Sequence, residues 1–295
     1  MNREIVGKDR FWQALCDPER RPFAVELDTP DSPDLTKYMA GARELVAGGA
    51  GLITVADCPN GRPCADSSLT ACKLHRELGV QAMPHLTCRD RNRNASRALL
   101  LGLAAEGIEQ ALLVTGDPIP AEDRADIHAV YDFTSRGFIR YAAGMDMPEP
   151  FRIYAALNVN ARNFTSQLDL ARQKEDCGAC GFFTQPVLTE RALENLKLAR
   201  ETLNGRILGG VIPVVSRRNA LYMNEHIAGI DVDERIVAMY EGADRDRGER
   251  LAVEISLAAA RAIARHIDGF YLMTPFGRTG LMVRVMERIR AEGLA

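Results

Sequence analysis

No apolar run in this sequence approaches the ~20 residues that a membrane-spanning helix needs, and no membrane association is expected. The opening stretch, MNREIVGKDRFWQAL, lacks the apolar core of a signal peptide, so the expected location is cytoplasmic. An excess of charge of one sign is missing as well. With 37 Lys and Arg against 40 Asp and Glu the net charge is −3, which gives no case for a nucleic-acid partner. Seven cysteines, an odd number scattered from Cys16 to Cys180, make no disulfide framework in a chain of 295 residues with its own core. Cys177 and Cys180 form one CxxC, but no second pair and no nearby His completes a zinc site, so both read as plain thiols. No Gly-x-Gly-x-x-Gly follows the first apolar run, which argues against a dinucleotide-binding Rossmann unit. The sequence offers no defensible Ser-His-Asp arrangement, no His-rich metal cluster, no internal repeat and no low-complexity segment.

What is present is an ordinary globular composition, 46% hydrophobic and 26% charged, enough for a large core. The informative stretch is residues 111–120, ALLVTGDPIP. An apolar, β-branched run meets Gly-Asp-Pro, as a buried strand does when it stops at a turn. Asp117 sits at the tip. There it either makes a local cap or Asx turn, or serves a site that needs the charge. Two other apolar runs end alike, at Val25-Glu26 and at Thr184-Gln185.

The chain in order alternates strand and helix. Strands are expected at 22–27, 51–56, 81–86, 111–115, 152–157, 181–184, 207–215 and 268–274. Helices are expected at 8–17, 31–48, 65–78, 93–105, 134–144, 163–176, 189–203, 217–227 and 250–265, with a last one opening at 277–280. The charge-dense run 241–250 reads as a solvated loop and helix start. Eight alternating units in one chain of this length point to a closed (β/α)8 TIM barrel rather than an open sheet. The expected organisation is a single domain, 1–295, with 1–20 a short helical extension.

In such a barrel all strand C-termini open on one face, where sites of this fold are built. Glu26, His85, Asp117, Gln185 and the loop after Thr274 should therefore ring one mouth. Two carboxylates and an amide in an apolar mouth suit proton transfer and hydrogen bonding to a flat, polar heterocycle. A desolvated glutamate would have a raised pKa and act as a general acid near neutral pH. The residues alone lead to a barrel enzyme acting on a small heterocycle.

At these residues the chain resembles the methylenetetrahydrofolate reductase family, over about residues 23–289. The matching pieces are Val25-Glu26, Pro84-His85-Leu86-Thr87-Cys88, Thr115-Gly116-Asp117, Gly178-Ala179, Phe183-Thr184-Gln185 and Gly210-Val211-Ile212-Pro213. The 86–92 stretch, LTCRDRN, looks most like the reductase portion of bifunctional homocysteine methyltransferase/reductase proteins.

The resemblance implies an oxidoreductase of one-carbon metabolism and methionine biosynthesis, reducing 5,10-methylenetetrahydrofolate to 5-methyltetrahydrofolate through non-covalent FAD, with NADH or NADPH as electron donor. By resemblance Glu26 protonates N10, and Asp117 holds the pterin and stabilises the cation. His85, Thr115, Gly116, Asp117, Asp57, Ala156, Asn160 and Lys174 contact the flavin, and Gln185, Asn219 and Arg278 the folate.

The chain departs from many relatives at Ala56-Asp57-Cys58-Pro59, at Thr115, at Gln173 and at Leu157-Asn158-Val159-Asn160. Those departures leave two alternatives open. One is a flavin-independent reductase. The other is a non-catalytic or partner-reduced pterin/flavin-binding subunit of a methyl-transfer complex. A homo-oligomer, or a redox or methyltransferase partner protein, fits the same readings. On physics alone 277–280 also suits a phosphate at a helix N-terminus. Arg89, Arg91 and Arg93 either meet an acidic substrate tail or form a solvated loop.

Overall fold

The computed structural model describes residues 10–146 and 151–295; 1–9 of the expected extension and 147–150 of the long connection lie outside them. Strands β1 (Phe23–Glu26), β2 (Leu52–Val55), β3 (Gln81–Thr87), β4 (Gln110–Val114), β5 (Arg152–Leu157), β6 (Gly181–Pro186), β7 (Arg206–Val211) and β8 (Gly269–Met273) pair in chain order, all parallel. β8 closes onto β1, with Ala24 beside Tyr271 and Glu26 beside Met273. This is the (β/α)8 barrel that the alternation implied.

Helix α1 (Arg10–Cys16) precedes the barrel. Helices α2 (Thr36–Ala47), α3 (Ser67–Leu78), α4 (Arg93–Ala105), α5 (Ser135–Ala143), α6 (Phe164–Asp176) and α7 (Glu190–Thr202) follow β1 to β6 in turn. The β7–β8 connection holds α8 (Arg217–His226), α9 (Glu234–Met239) and α10 (Arg245–Ile263), and α11 (Thr279–Ala291) follows β8. Three of these differ from expectation. α2 starts at Thr36 rather than 31. α9 is only six residues long and carries no fully buried residue, although Ile236 and Val237 pack against the core, so it is too short to show a helical period in the sequence. α10 starts at Arg245 rather than 250, because the Asp244 carboxylate accepts from the Arg247 amide at 2.8 Å and caps the helix inside the charged run.

Period-two alternation sorts the strand residues into two cores. Val25, Ile53, Leu86, Leu113, Phe182 and Leu272 face outward and pack against the helices. Ala24, Leu52, Met83, Leu112, Tyr154, Phe183, Leu208 and Tyr271 fill the barrel, joined by Phe11 and Leu15 of α1. α1 therefore plugs the N-terminal end. Its Phe11 amide donates to Gln81 Oε1 at 2.9 Å, and Trp12 meets the Tyr154 ring edge-on at 6.3 Å.

Aromatics make up only 6% of the chain, yet four of them form a column in the barrel. From Trp12 the contacts run Tyr154 to Phe183, centroids 5.2 Å apart, and Phe183 to Tyr271, 4.9 Å apart, each edge to face. The column closes the interior to water and delivers the Tyr271 hydroxyl to the C-terminal mouth.

Candidate active site

Glu26 ends β1 pointing inward, directly above that column. Tyr271 Oη donates to Glu26 Oε2, and His85 Nε2 lies 3.6 Å from the same oxygen. The Glu26 side chain is 19% exposed and that of His85 10%. Burial removes water from the carboxylate, Asp28 and Asp117 add negative potential, and the Tyr271 hydrogen bond only partly offsets them. The Glu26 pKa rises to about 8. Burial likewise holds the His85 imidazolium down, to about 4, with Asp57 pulling weakly the other way. At neutral pH the pair is therefore a protonated acid beside a neutral imidazole. Asp28, just beyond β1, is also raised by desolvation.

Asp117 reaches the same mouth from the loop after β4. Gly116 precedes it at φ +92°, and a Cβ there would fall 2.9 Å from Thr87 Cβ, so only glycine makes this turn. Asn60 N donates to Asp117 Oδ2 at 2.7 Å, and Arg89 Nη1 donates to the Asp117 carbonyl at 2.7 Å. The carboxylate itself is exposed.

Arg89 is 2% exposed and is further held by both oxygens of Asp90, at 2.8 and 2.6 Å. Arg91 donates to Asp57 Oδ2 at 2.6 Å and to Asp66 Oδ2 at 3.2 Å. Thr87 adds its amide and hydroxyl to the same Asp57 oxygen, both at 3.0 Å. Burial alone would raise the Asp57 pKa, but Arg91 and Thr87 win and hold it below its ordinary value. The Arg93 guanidinium lies 4.8 Å from the Tyr141 ring centroid, and its amide donates to Asp132 at 2.9 Å. Arg89 and Arg91 are engaged within the protein, whereas Arg93 is exposed, its guanidinium resting over Tyr141.

Gln185 stands on the same face, near the end of β6. Its register shifts between Phe183 and Pro186, a bulge in which Thr184 Oγ1 accepts from Gly210 N at 2.8 Å and donates to the Gln185 carbonyl at 2.9 Å. The half-buried Gln185 side chain lies near Gly229 and Asn158. Asn160 sends its amide NH2 to the Pro186 and Gly229 carbonyls, each at 2.9 Å. Lys174 Nζ donates to the Ala156 carbonyl at 2.8 Å, and burial followed by Arg136 brings its pKa down to about 8.

Asn219 Oδ1 accepts from Val215 N at 3.1 Å, shaping the loop after β7. Arg278, just past β8, faces Glu249 at 3.6 Å. The structure thus brings Glu26, His85 and Asp117 together, sets Gln185, Asn160 and Lys174 along one arc, and puts Asn219 and Arg278 outside both. Asp57 is a clamp on Arg91.

Sequence reasoning missed Tyr271, Asp28 and the Arg89–Asp117 strut. Tyr271 was within reach. It alternates with outward Phe270 and Leu272 in GFYLM, on the same face as Glu26 in the neighbouring strand.

Besides Thr54 Oγ1 and Thr274 Oγ1, two buried polar atoms near the mouth have no hydrogen-bond partner: His85 Nε2 and Asn160 Oδ1. A buried, unpaired polar atom is costly unless a ligand completes it. A donor-and-acceptor heterocycle such as a flavin or a pterin suits this pair. Thr115 is exposed beside them, with Lys174 as the cation behind. On these residues a flavin fits the mouth.

A family model described as "Methylenetetrahydrofolate reductase" matches residues 13–289. The 5,10-methylenetetrahydrofolate reductase of Salmonella typhimurium is 23% identical over 187 residues, 63% of this chain and 61% of that enzyme. The enzyme of the same name from Buchnera aphidicola is 20% identical over 176 residues, 59% of this chain and 58% of that one. The matched stretch is thus under two thirds of either relative's length. Among solved structures, an uncharacterized protein from Clostridium thermocellum, described as binding two copies of 5-methyl-5,6,7,8-tetrahydrofolic acid, superposes with a TM-score of 0.64 at 10% identity. That likeness covers 96% of this chain and 98% of the other, and it is a likeness of fold.

Proposed function

The chain belongs to the methylenetetrahydrofolate reductase family, and from that premise we propose that it reduces 5,10-methylenetetrahydrofolate to 5-methyltetrahydrofolate with Glu26 as proton donor. The observation that carries this reading is a largely buried carboxyl at the mouth, hydrogen-bonded by Tyr271 and beside His85, whose desolvation raises its pKa to about 8. The reaction needs one proton and one hydride. As the bond between the bridging carbon and N10 breaks, its electron pair goes to N10, which takes the Glu26 proton. The carbon, left as an iminium on N5, then accepts the hydride to become methyl. The named folate reductases among the relatives and the folate-binding neighbour of like fold support this substrate.

His85 stays neutral, so no imidazolium opposes the cation that forms on the substrate. The exposed Asp117 carboxylate, held by Asn60 N and through its carbonyl by Arg89, supplies fixed negative potential beside that cation. Tyr271 orients the acid through its hydrogen bond. Gln185 offers its amide to the pterin edge.

FAD would be held by His85, Thr115, Gly116, Asp117, Asn160 and Lys174, with the Ala156 carbonyl anchoring Lys174; when bound it supplies the hydride, drawn in turn from NADH or NADPH. Asp57 would act there indirectly, by fixing Arg91.

The test separates the two half-reactions. Glu26→Gln should lose methylene-folate reduction by about 10²-fold or more. It should leave bleaching of the bound flavin by reduced nicotinamide in place, and wild-type turnover should fall as pH rises through about 8, where the acid ionises. Unchanged folate turnover in the Gln variant would remove Glu26 from the mechanism.

A further inference from the structure

β2 carries a residue that packing does not explain. It reads Leu-Ile-Thr-Val, and all four residues are buried. Leu52 fills the barrel while Ile53 and Val55 face the helices, so by the same alternation Thr54 points inward. Thr54 is 0% exposed, and among the described residues its hydroxyl has no hydrogen-bond partner of good geometry. Valine would fill the same space without burying an unpaired hydroxyl. The hydroxyl is therefore a cost to the fold, of the kind that is kept where a site uses it.

Its place is beside the acid. Thr54 is the register partner of Glu26, and its carbonyl accepts from the Leu27 amide at 3.1 Å. On the other side of β1, Glu26 pairs with Met273, and Tyr271 stands two residues below on the same inward face. Tyr271 Oη gives its only proton to Glu26 Oε2, which leaves the phenol oxygen as an acceptor. The Thr54 hydroxyl bears on that oxygen. Burial, then Glu26 and Asp28, push the Tyr271 pKa up, and Thr54 opposes them as a donor. A bond that is loosely aligned in the empty site is one that can tighten when the acid changes charge. With Oε2 accepting from Tyr271, the proton of the acid belongs on Oε1. Were Tyr271 to turn its proton toward Thr54, Oε2 would be free to take the acid proton instead.

We propose that Thr54 is a positioning residue for the general acid: its hydroxyl donates to Tyr271 Oη, fixes the direction of the relay from Thr54 through Tyr271 to Glu26 Oε2, and keeps the transferable proton on Oε1. The assignment rests on the reading of Glu26 as proton donor to the folate. As Glu26 hands its proton to N10 and becomes a carboxylate, the Tyr271 bond strengthens, negative charge builds on the phenol oxygen, and the Thr54 bond tightens to meet it. Only the Glu26 proton moves; Thr54 and Tyr271 keep theirs. Thr54→Val removes the donor and keeps the shape, so the carboxylate loses support and Glu26 becomes a weaker acid.

The experiment titrates the Glu26 carboxyl in the free protein by carbon NMR and measures methylene-folate turnover beside it. The chains compared are the wild type, Thr54→Val, Thr54→Ser, and Tyr271→Phe with and without Thr54→Val. The Glu26 titration should move up by about half a unit in the Val variant and return in the Ser variant. At neutral pH the Val variant should lose about threefold in kcat with KM for the folate unchanged, while reduction of the bound flavin by nicotinamide keeps its rate. In the Tyr271→Phe background Thr54→Val should add nothing, because the relay is already cut. A Glu26 titration that stays at the wild-type value in the Val variant overturns the proposal. So does a Ser variant that behaves as the Val variant does, or a Val effect that persists in full without the tyrosine hydroxyl. A Glu26 titration that shifts as expected in a protein that turns over no methylene-folate upholds the relay and overturns the folate reading.

Discussion

Arginines flank the mouth on two sides, and the two sides treat them in opposite ways. After β3, Arg89 and Arg91 are sunk among Asp57, Asp66, Asp90 and the Asp117 carbonyl, every guanidinium matched by oxygen. After β7 and β8, Arg217 and Arg218 are exposed and meet no carboxylate among the described residues, and Arg245 and Arg278 share Glu249 with Arg284. A paired, buried arginine fixes backbone. It holds the loops after β2 and β4 against each other and so places Asp117. An unpaired one at the surface adds little to the fold and leaves its charge open to solvent. The same residue type is scaffold on one arc and free surface charge on the other, and only partners and burial separate the two.

The sharpest way to break this contrast is Asp57→Asn. It leaves Arg91 largely buried with half its counter-charge removed, and a broken buried pair costs about 3 kcal/mol. Urea denaturation at pH 7 should show that loss. The sign follows from the depressed Asp57 pKa: its contribution is present above the ordinary carboxylate range and is lost as pH falls through the folded-state value. The gap between wild type and variant should therefore close in acid. A gap that persists unchanged at pH 3 would mean that Asp57 acts by shape and not by charge.

How much of this was legible in the sequence depends on the range of the interaction. Strand tips such as Val25-Glu26 and Thr115-Gly116-Asp117 announce themselves locally, by an apolar run that stops at a polar or turn residue, and the barrel count follows from the alternation. The Arg89 strut to Asp117 spans 28 positions and Tyr271 to Glu26 spans 245, and neither is visible until the barrel closes. The bulge at Thr184 that sets Gln185 is a register event with no signature in the residues themselves. The open cluster of arginines after β7 and β8 is hidden for a different reason. Its charges come from three helix starts far apart in the chain, each of which reads alone as an ordinary solvated terminus.

Between the two arcs sits the acid, and Tyr271→Phe sharpens its part. The hydroxyl lowers the Glu26 pKa, against burial and the two neighbouring aspartates that raise it. Without it the acid stays protonated to still higher pH. The alkaline limb of folate reduction should move up by about one unit or less, while the flavin half-reaction keeps its own profile. A downward shift would show that the tyrosine instead favours the protonated acid.

The smallest effect is expected on the open arc, and it is the most diagnostic of the contrast. R217A/R218A removes two arginines from one cluster, the kind of change that on the closed arc would unseat the mouth. Here no carboxylate is left unpaired and no apolar side chain is uncovered. Surface changes of this kind stay within about 0.5 kcal/mol. Relief of repulsion among the clustered arginines and the α8 N-terminus pushes toward a slight gain, strongest at low salt. Thermal denaturation at low and high salt should show the variant at least as stable as the wild type in both. A clear loss would mean that these arginines hold the fold as Arg89 and Arg91 do, and the distinction between the two arcs would fall.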